Sequence, residues 1–526
     1  MTQPRSNPPG LPREVWTTRI GLILAMAGNA VGLGNFLRFP VQAASNGGGA
    51  FLIPYFISLL LLGIPLMWVE WAIGRHGGSY HGHGSTPGMF QVLAKKTWVK
   101  YLGVLGLFNP FVILVYYTYI QSWTLAYSLF SAIGKYFGIA SRDEMGTFLD
   151  SFKGFATSDY FPSGIQVAYV FMLLTLGLNV YILYRGVSAG IEKLAKIAMP
   201  LLLLFAIALV VRVLTLETPD PAFPDRNVIA GLGYLWNPDF SRLGSGVTWL
   251  AAAGQVFFTL SLGMGTIHCY ASYLRKRDDL ALTGLTTSMT NEFSEVILGG
   301  TIAIPIAVAF FGLAETKDIA SSGSFDLAFQ SMPIIFNQVA FGHLFGCLWF
   351  GLLFFAGITS SVAMGQPIMA FLQEEFSFTK KRAALVLSAA LFVLIQPVVF
   401  IRPFLGEMDF WAGTFGLAVF ALVEVVLFAW VFGMDRAWEE ITRGADIKIP
   451  RFFYYTIRYI TPFFLIIILT VWTWQDAIPR LMMDGVDEAD RPGVLWARII
   501  LVGIMSGFLL LIGYAWRRRE RAERLS

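Results

Sequence analysis

The sequence predicts an all-α membrane protein with twelve transmembrane helices. Hydrophobic residues make up 56% of the 526 residues and charged residues only 14%, whereas a soluble domain carries about 25% charged residues. A core of this size would need a more polar surface if it faced water, so much of the apolar surface must face lipid. The composition therefore excludes a disordered chain, a collagen-like chain and an ordinary cytosolic domain.

Apolar stretches of spanning length recur along the whole chain. A helix needs roughly 20 residues to cross a hydrocarbon core about 30 Å thick. The twelve predicted spans are residues 20–36, 51–73, 101–133, 167–184, 191–213, 247–273, 282–311, 344–371, 383–401, 410–432, 453–474 and 494–516.

The 38 Lys and Arg residues indicate how these spans are oriented. With a cytoplasmic N-terminus, most of them fall in the even-numbered loops and in the two tails. Because loops rich in Lys and Arg stay on the cytoplasmic side, we expect a multi-pass protein of the plasma membrane, or cell inner membrane, with both termini in the cytoplasm. Topology then explains the net charge of +4, and no basic polar domain indicates a nucleic-acid partner.

The two ends of the chain are polar. Residues 1–19 precede an apolar run that is too long for a signal peptide, so we expect a cytoplasmic N-terminal segment that is not cleaved. Residues 517–526 are predicted to form a basic cytoplasmic tail.

The first and sixth spans contain residues that a continuous helix does not favour. Residues 24–36 place three glycines and two asparagines near the middle of the membrane, and residues 258–266 place two further glycines there. Each glycine costs a helix interior about 1 kcal/mol relative to alanine. Close helix packing explains one such span equally well, because Gly28 and Gly32 form a small-xxx-small pair. Two such spans in corresponding positions instead indicate inverted repeats with a binding site between them.

An interrupted helix offers unpaired backbone groups at mid-membrane. Lipid cannot satisfy these groups, but a ligand can. The free carbonyls suit a cation, and the amides at a helix N-terminus suit an anion such as a carboxylate. The two interruptions together therefore predict one site for a cation beside a zwitterion.

Residues 28–40 resemble the first-helix signature of the neurotransmitter:sodium symporter family. Further segments resemble that family in the same order, namely residues 46–51, 255–261, 291–300, 356–361 and 407–411. The resemblance covers nearly the whole chain and implies the LeuT-type fold, a 5+5 inverted repeat with broken helices 1 and 6.

The same resemblance divides the chain into three parts. It implies a first inverted repeat at residues 20–213 (helices 1–5), a second at residues 247–432 (helices 6–10) and two peripheral helices, 11 and 12, at residues 453–516. The lipid bilayer is the expected surrounding of all three parts, and a homodimer is left open.

The resemblance also implies two sodium sites. The first uses the carbonyl of Ala30, the substrate carboxylate and the side chains of Asn35, Thr259 and Asn291. The second uses the carbonyls of Gly28, Val31 and Ala356 and the hydroxyls of Thr359 and Ser360. Neutral oxygen ligands suit a hard monovalent cation, and the i, i+3, i+4 spacing of the last three residues places them on one helix face.

The family's substrate site matches eleven residues of this chain. They are Asn29, Ala30, Gly34, Ile113, Tyr117, Phe258, Thr259, Ser261, Met264, Ser360 and Met364. The resemblance implies that the Tyr117 hydroxyl binds the substrate carboxylate and that Phe258 covers the site, although a tyrosine among apolar residues is more often a packing residue.

The resemblance further bears on the substrate class. Family members that carry monoamines have an aspartate at the position of Gly32, so the glycine implies a substrate with its own carboxylate. Met264 and Met364 imply an apolar subsite for a hydrophobic L-amino acid such as leucine or methionine.

Charged residues near the span ends match the family's gates. Arg38 and Asp409 match the outer pair, and Arg13 and Glu374 match the inner pair, where the family more often has an aspartate than a glutamate. Charged residues at helix ends are otherwise commonly solvated.

Four carboxylates lie within apolar spans, at Glu70, Glu292, Glu295 and Glu424. Acids inside a membrane are costly and are candidates for function. For Glu70 and Glu424 we favour a structural role, in which they bind free amides of a broken helix. Glu295 matches the position at which chloride-independent family members carry a fixed negative charge, so it implies sodium coupling without chloride and leaves proton antiport open.

Other motifs carry less information. Cys269 and Cys347 are predicted to be buried small apolar residues and not part of a disulfide or zinc framework, and His81 and His83 lack the further Cys or acid ligands that a metal site needs. No nucleophile with a base and no nucleotide-binding motif is present, which disfavours an enzyme. Two hypotheses remain: a sodium-coupled symporter that imports an amino acid by alternating access, and a membrane amino-acid binding protein or sensor that does not transport.

Overall fold

The structure, a computed structural model, describes residues 16–162 and 164–525. In this part of the chain every regular element is helical, and β-type pairing is limited to two isolated bridges. The main helices are α1 Arg19–Ala30, α2 Gly34–Ser45, α3 Gly49–Tyr80, α4 Thr97–Ile133, α5 Gly164–Gly186, α6 Lys193–Leu214, α7 Gly246–Thr259, α8 Thr266–Ala271, α9 Leu280–Ser322, α10 Gly342–Phe376, α11 Lys380–Phe400, α12 Pro403–Thr442, α13 Phe452–Leu481 and α14 Arg491–Leu525. Shorter helices in the connections are Thr86–Ala94, Arg142–Lys153, Val228–Trp236, Phe240–Gly244, Ser324–Asp326 and Met332–Gln338.

Nine helical stretches in the described residues are long and apolar enough to cross a membrane, or ten if α1 and α2 count as one bent span. This count takes α5 and α6 as one stretch of 51 residues, more than twice the roughly 20 residues that one crossing needs. It also omits α7 and α8, which have 14 and 6 residues. The chain is therefore an all-helical protein with many apolar helices, and the number twelve stays a prediction.

The helix ends differ from the predicted spans. Residues 20–36 were expected to form the first span, but helical structure continues through Arg38 to Ser45. Likewise α12 extends beyond residues 410–432 at both ends. Charged residues indicate where the hydrocarbon core of the membrane ends, but a helix continues beyond that point as long as its backbone hydrogen bonds are made.

The interrupted segments appear at the two glycine-rich positions. The axes of α1 and α2 differ by 46°. Between α7 and α8, Ser261, Gly263 and Gly265 have positive φ angles of 56°, 71° and 75°. A Cβ atom at Gly263 would lie 2.2 Å from the carbonyl oxygen of Leu417, so only glycine fits there.

The two interrupted segments lie inside the bundle. Helix α1, which ends at the first interruption, packs against α6, α9 and α10, while α7 and α8, on either side of the second, both pack against α3. Helices α10 and α4 also pack extensively against each other. At the periphery, α14 turns large apolar side chains outward, such as Val502 and Leu510, which are 66% and 74% exposed. Such a surface suits lipid rather than water.

The two cysteines differ in burial. Cys269 is buried as predicted, but the prediction for Cys347 is wrong, because this residue is only half-buried on α10. An apolar sequence context does not distinguish a helix face turned to the core from one turned to lipid.

Candidate functional site

One cavity lies between the two interrupted segments, with an empty space, its opening included, of about 340 Å³. All eleven residues assigned to the substrate by resemblance line it, together with Gly32 and Asn35. The structure thus brings residues from α1, α2, α4, α7, α10 and the segment 260–265 around one space.

The polar end of the cavity lies where the first interruption faces α4 and α10. The Tyr117 hydroxyl accepts a hydrogen bond from the backbone amide of Leu33, 3.1 Å away. A Cβ atom at Gly32 would lie 2.9 Å from Ser360 Oγ and 3.1 Å from the Tyr117 oxygen. The glycine therefore leaves room beside two hydroxyl groups, which suits a small acceptor such as a carboxylate.

The other end of the cavity is apolar. Ile113, Met264 and Met364 are buried there. The Phe258 ring lies so close to Gly34 that a Cβ atom at this glycine would be 2.6 Å from it. Phe258 is half-buried and separates the cavity from Arg38, whose guanidinium lies 4.5 Å from the ring centroid.

The residues of the first predicted sodium site form a buried hydrogen-bonded cluster beside the cavity. Asn35 Nδ2 donates to Asn291 Oδ1 at 2.8 Å, and Asn291 Nδ2 donates to Thr259 Oγ1 at 3.0 Å. Ala30 lines the same cavity as Asn35 and Thr259. The four residues predicted for this site are therefore neighbours, with amide, hydroxyl and carbonyl oxygens available to a cation.

Glu295 lies at the centre of this cluster. It belongs to a wide, π-type turn of α9, Phe293–Gly299, a distortion often found at functional sites. Its Oε2 accepts hydrogen bonds from Asn35 and Asn291, both at 3.2 Å, and from the Thr259 hydroxyl. The side chain is fully buried.

The sequence analysis did not single out Gln255 as a functional residue. Its Nε2 donates to Glu295 Oε1 at 2.7 Å. The sequence did contain a signal for this residue. Gln255 and Thr259 are four residues apart on α7, so Gln255 shares one face of the helix with a predicted sodium ligand.

The second predicted sodium site lies where α1 crosses α10. Ser360 Oγ donates to the carbonyl oxygens of Gly28 and Asn29, at 3.2 and 3.3 Å. A Cβ atom at Gly28 would lie 3.0 Å from Thr359 Cβ, and Thr359 Oγ1 donates to the Ala356 carbonyl at 3.1 Å. Val31 is buried immediately after the end of α1.

The predicted outer gate is not an ion pair in this structure. Arg38 lies on the Phe258 ring, and Asp409 Oδ1 accepts a hydrogen bond from the Tyr116 hydroxyl at 2.7 Å. On the inner side, Glu374 Oε2 accepts a hydrogen bond from the Gly84 amide at 2.7 Å. Its predicted partner Arg13 lies outside the described residues.

The two acids for which we favoured a structural role differ. Glu70 Oε1 accepts a hydrogen bond from the Gly263 amide, 2.7 Å away, which is the contact that this role requires. Glu424 accepts no hydrogen bond from an amide in the described part of the chain and instead faces His268. The sequence analysis missed His268, because a lone histidine in an apolar stretch gives no signal about its partners.

Comparison with known proteins identifies the family of this chain. The model of the sodium:neurotransmitter symporter family matches residues 13–137 and 163–482. The chain belongs to this family. The family resemblance read from the motifs is therefore confirmed, and because the family consists of sodium-coupled transporters, the chain is a multi-pass membrane transporter and not an enzyme.

Individual relatives resemble the transporter over most of its length. An uncharacterized sodium-dependent transporter of Methanocaldococcus jannaschii is 33% identical over 493 residues, which are 93% of this chain and 95% of that protein. The sodium-dependent nutrient amino acid transporter 1 of Drosophila melanogaster is 26% identical over 531 residues, 88% of this chain and 77% of that protein. The crystal structure of MhsT in complex with L-phenylalanine superimposes with a TM-score of 0.74 at 30% identity, covering 87% of this chain and 99% of MhsT.

Proposed function

We propose that this transporter imports a hydrophobic L-amino acid, such as leucine or methionine, together with sodium, by alternating access and without chloride. The cavity between the two interrupted segments carries the proposal. It combines a polar end with free backbone groups and hydroxyls and an apolar end of isoleucine and methionine side chains. An amino acid has this same division between a charged end and a side chain.

The polar end favours an amino acid over an amine. An aspartate at Gly32 would bring its own carboxylate between Ser360 and Tyr117, but glycine leaves that space to the substrate. Two similar proteins support an amino acid as the substrate. The crystal structure of MhsT contains L-phenylalanine, and the Drosophila relative is named a nutrient amino acid transporter.

Sodium coupling rests on the two groups of oxygen ligands. In the first group the substrate carboxylate would complete the ligands of the ion, so that substrate and sodium bind together. At a membrane potential of 100 mV, two sodium ions supply roughly 4.6 kcal/mol, about a thousandfold accumulation before any concentration gradient is counted.

Chloride independence rests on Glu295. Its carboxylate contacts three of the residues proposed to hold the first sodium ion. A negative charge built into the protein at this place makes an external anion unnecessary.

The proposed topology has twelve helices in the LeuT-type arrangement, both termini in the cytoplasm and the plasma membrane as location. The twelve helices are proposed from the apolar runs of the sequence, the LeuT-type arrangement from the resemblance to the family, and the orientation from the distribution of Lys and Arg.

Uptake into sealed proteoliposomes tests this function. Vesicles containing potassium are diluted into sodium, and the accumulation of radiolabelled leucine is measured with and without a sodium ionophore. A symporter accumulates leucine only while the sodium gradient lasts. A binding protein or sensor, the alternative, would bind leucine with sodium but show no accumulation that the ionophore releases. Competition by each of the twenty amino acids then identifies the substrate.

A further inference from the structure

Helix α5 supplies no residue to the cavity or to the two groups of proposed sodium ligands, yet one of its polar side chains is buried against helices that do. Asn179 is buried, whereas Leu174 and Tyr181 on the same helix are exposed on the face turned away from the bundle. A polar side chain inside a membrane protein is costly unless a partner satisfies it. The partners of Asn179 therefore indicate what this residue does.

The Asn179 side chain joins α4 to α10. Its Nδ2 donates to Gln121 Oε1 at 3.1 Å, and its Oδ1 accepts a hydrogen bond from the Ser361 hydroxyl at 2.9 Å. All three side chains are buried, and each belongs to a different helix. We call Gln121, Asn179 and Ser361 the polar bridge.

The polar bridge holds α10 in one orientation against α4 and α5. An asparagine side chain has a donor end and an acceptor end, and because Gln121 Oε1 takes the donor end, the acceptor end is left to Ser361. The packing here is close, since a Cβ atom at Gly357 would lie 3.0 Å from Gln121 Cγ. Both the hydrogen bonds and the packing therefore oppose a rotation of α10 about its axis.

This rotation determines where the neighbouring residues of α10 point. Thr359 and Ser360, two proposed ligands of the second sodium ion, immediately precede Ser361. Successive residues of a helix are about 100° apart, so a Ser361 that faces α5 fixes the direction in which Ser360 faces the Gly28 carbonyl, 3.2 Å away. A rotation of about 20° would move each Cα atom by about 0.8 Å and each hydroxyl further, whereas a binding site needs its ligands held within about 0.5 Å.

We infer that Asn179 is a positioning residue for the second sodium site. Its side chain holds Ser361, and through Ser361 it keeps the hydroxyls of Thr359 and Ser360 directed at the carbonyls of α1. When the bridge is lost, α10 can rotate, these hydroxyls move away from α1, and sodium binding weakens. This role rests on the proposed function, because it requires the second sodium site to exist.

Thermal unfolding of the purified transporter without leucine tests this role. The first sodium site then lacks the substrate carboxylate, so stabilisation by sodium reports mainly on the second site. The melting temperature is measured across a sodium titration with choline as the balancing cation, because an ion that binds only the folded protein raises the melting temperature as its concentration increases. For the same rise as wild type, Asn179→Leu should need about tenfold more sodium and Ser361→Ala about threefold more.

The choline measurement separates positioning from simple packing. A contact that only stabilises the fold would lower the melting temperature in choline and leave the sodium dependence unchanged, and that result in both variants would overturn the inference. If Asn179→Leu does not fold, Ser361→Ala decides in the same way, because it removes a single hydroxyl.

Two further variants show whether the bridge acts as one unit. The double variant Asn179→Leu with Ser361→Ala should need no more sodium than Asn179→Leu alone, since Ser361 acts through the same contact, and additive effects would contradict this. Tyr169→Phe is the matched control. It removes a hydrogen bond that joins α5 to α11, from the Tyr169 hydroxyl to Gln396 Oε1 at 3.0 Å, and should keep the wild-type sodium dependence.

Two negative results have different meanings. A wild type that sodium stabilises, with the same sodium dependence in Asn179→Leu and Ser361→Ala, overturns the positioning role alone. A wild type that sodium stabilises no more than choline does overturns the second sodium site of the proposed function and the positioning role with it.

Discussion

Ser360 Oγ lies 3.2 Å from the carbonyl oxygen of Gly28, although the two residues are 332 positions apart in the chain. This contact joins α10 to the last turn of α1, immediately before the first interruption. It places a hydroxyl and a carbonyl oxygen side by side, which is the arrangement that a sodium ion between these helices requires.

The double variant Thr359→Val and Ser360→Ala should raise the sodium concentration needed for half-maximal leucine binding by about tenfold or more, equal to at least about 1.4 kcal/mol. Both changes remove an oxygen ligand and leave the helix intact. Equilibrium binding of radiolabelled leucine across a sodium titration measures the effect.

A control for this variant removes the same groups elsewhere. Thr470 and Ser388 also donate to carbonyls of their own helices, so Thr470→Val with Ser388→Ala should leave the sodium requirement unchanged. A sodium requirement that stays at the wild-type value when Thr359 and Ser360 are both replaced would remove the second site.

Replacement of Glu295 by serine should make transport depend on chloride. The serine hydroxyl leaves space where the carboxylate was, next to Asn35 and Asn291, and chloride can then supply the missing charge. Uptake in chloride is compared with uptake in gluconate. Wild type should transport equally in both, and Glu295→Gln should be inactive in both because the amide fills the space without a charge. A serine variant that is fully active in gluconate would contradict the assignment.

Replacement of the two cavity methionines, Met264→Phe with Met364→Ile, should narrow the selectivity towards leucine. Methionine adapts to differently shaped neighbours, and one methylene in an apolar pocket changes binding by about 1–3 kcal/mol. Competition of the other amino acids with labelled leucine measures the change. Met505→Ile, on the peripheral helix α14, is the control. An unchanged competition profile in the double variant would place the specificity elsewhere.

An aspartate at Gly32 should weaken leucine binding by about a hundredfold or more. Its carboxylate would lie beside Ser360 and Tyr117 and repel the carboxylate of the substrate, and juxtaposed like charges cost several kcal/mol. Isopentylamine, which is leucine without its carboxyl group, should compete better in Gly32→Asp than in wild type. Equal competition by the amine in both proteins would show that the substrate carboxylate lies elsewhere. Gly177→Ala, at a glycine with open space around it, controls for a general effect.

Local pattern determined the class of protein and the family. Runs of apolar residues predict membrane helices because a bilayer imposes a length on each helix, and the glycine-rich segments predict interruptions because glycine disfavours a helix interior. Motif positions also named the residues that line the cavity. The ends of the helices and the burial of Cys347 were predicted less well, because an apolar stretch has the same sequence pattern whether it faces lipid or protein.

Only the tertiary structure decided which polar side chains meet. Glu70 and the Gly263 amide are 193 positions apart, and Glu295 receives hydrogen bonds from residues on α2 and α7 as well as from its own helix. The position of His268 between Glu70 and Glu424, the hydrogen bond from Gln255 to Glu295 and the position of Arg38 on Phe258 depend on how helices distant in the chain pack together. A sequence pattern reports the periodicity of one helix at a time, whereas these contacts follow from burial of several helices at once, so no single segment contains them.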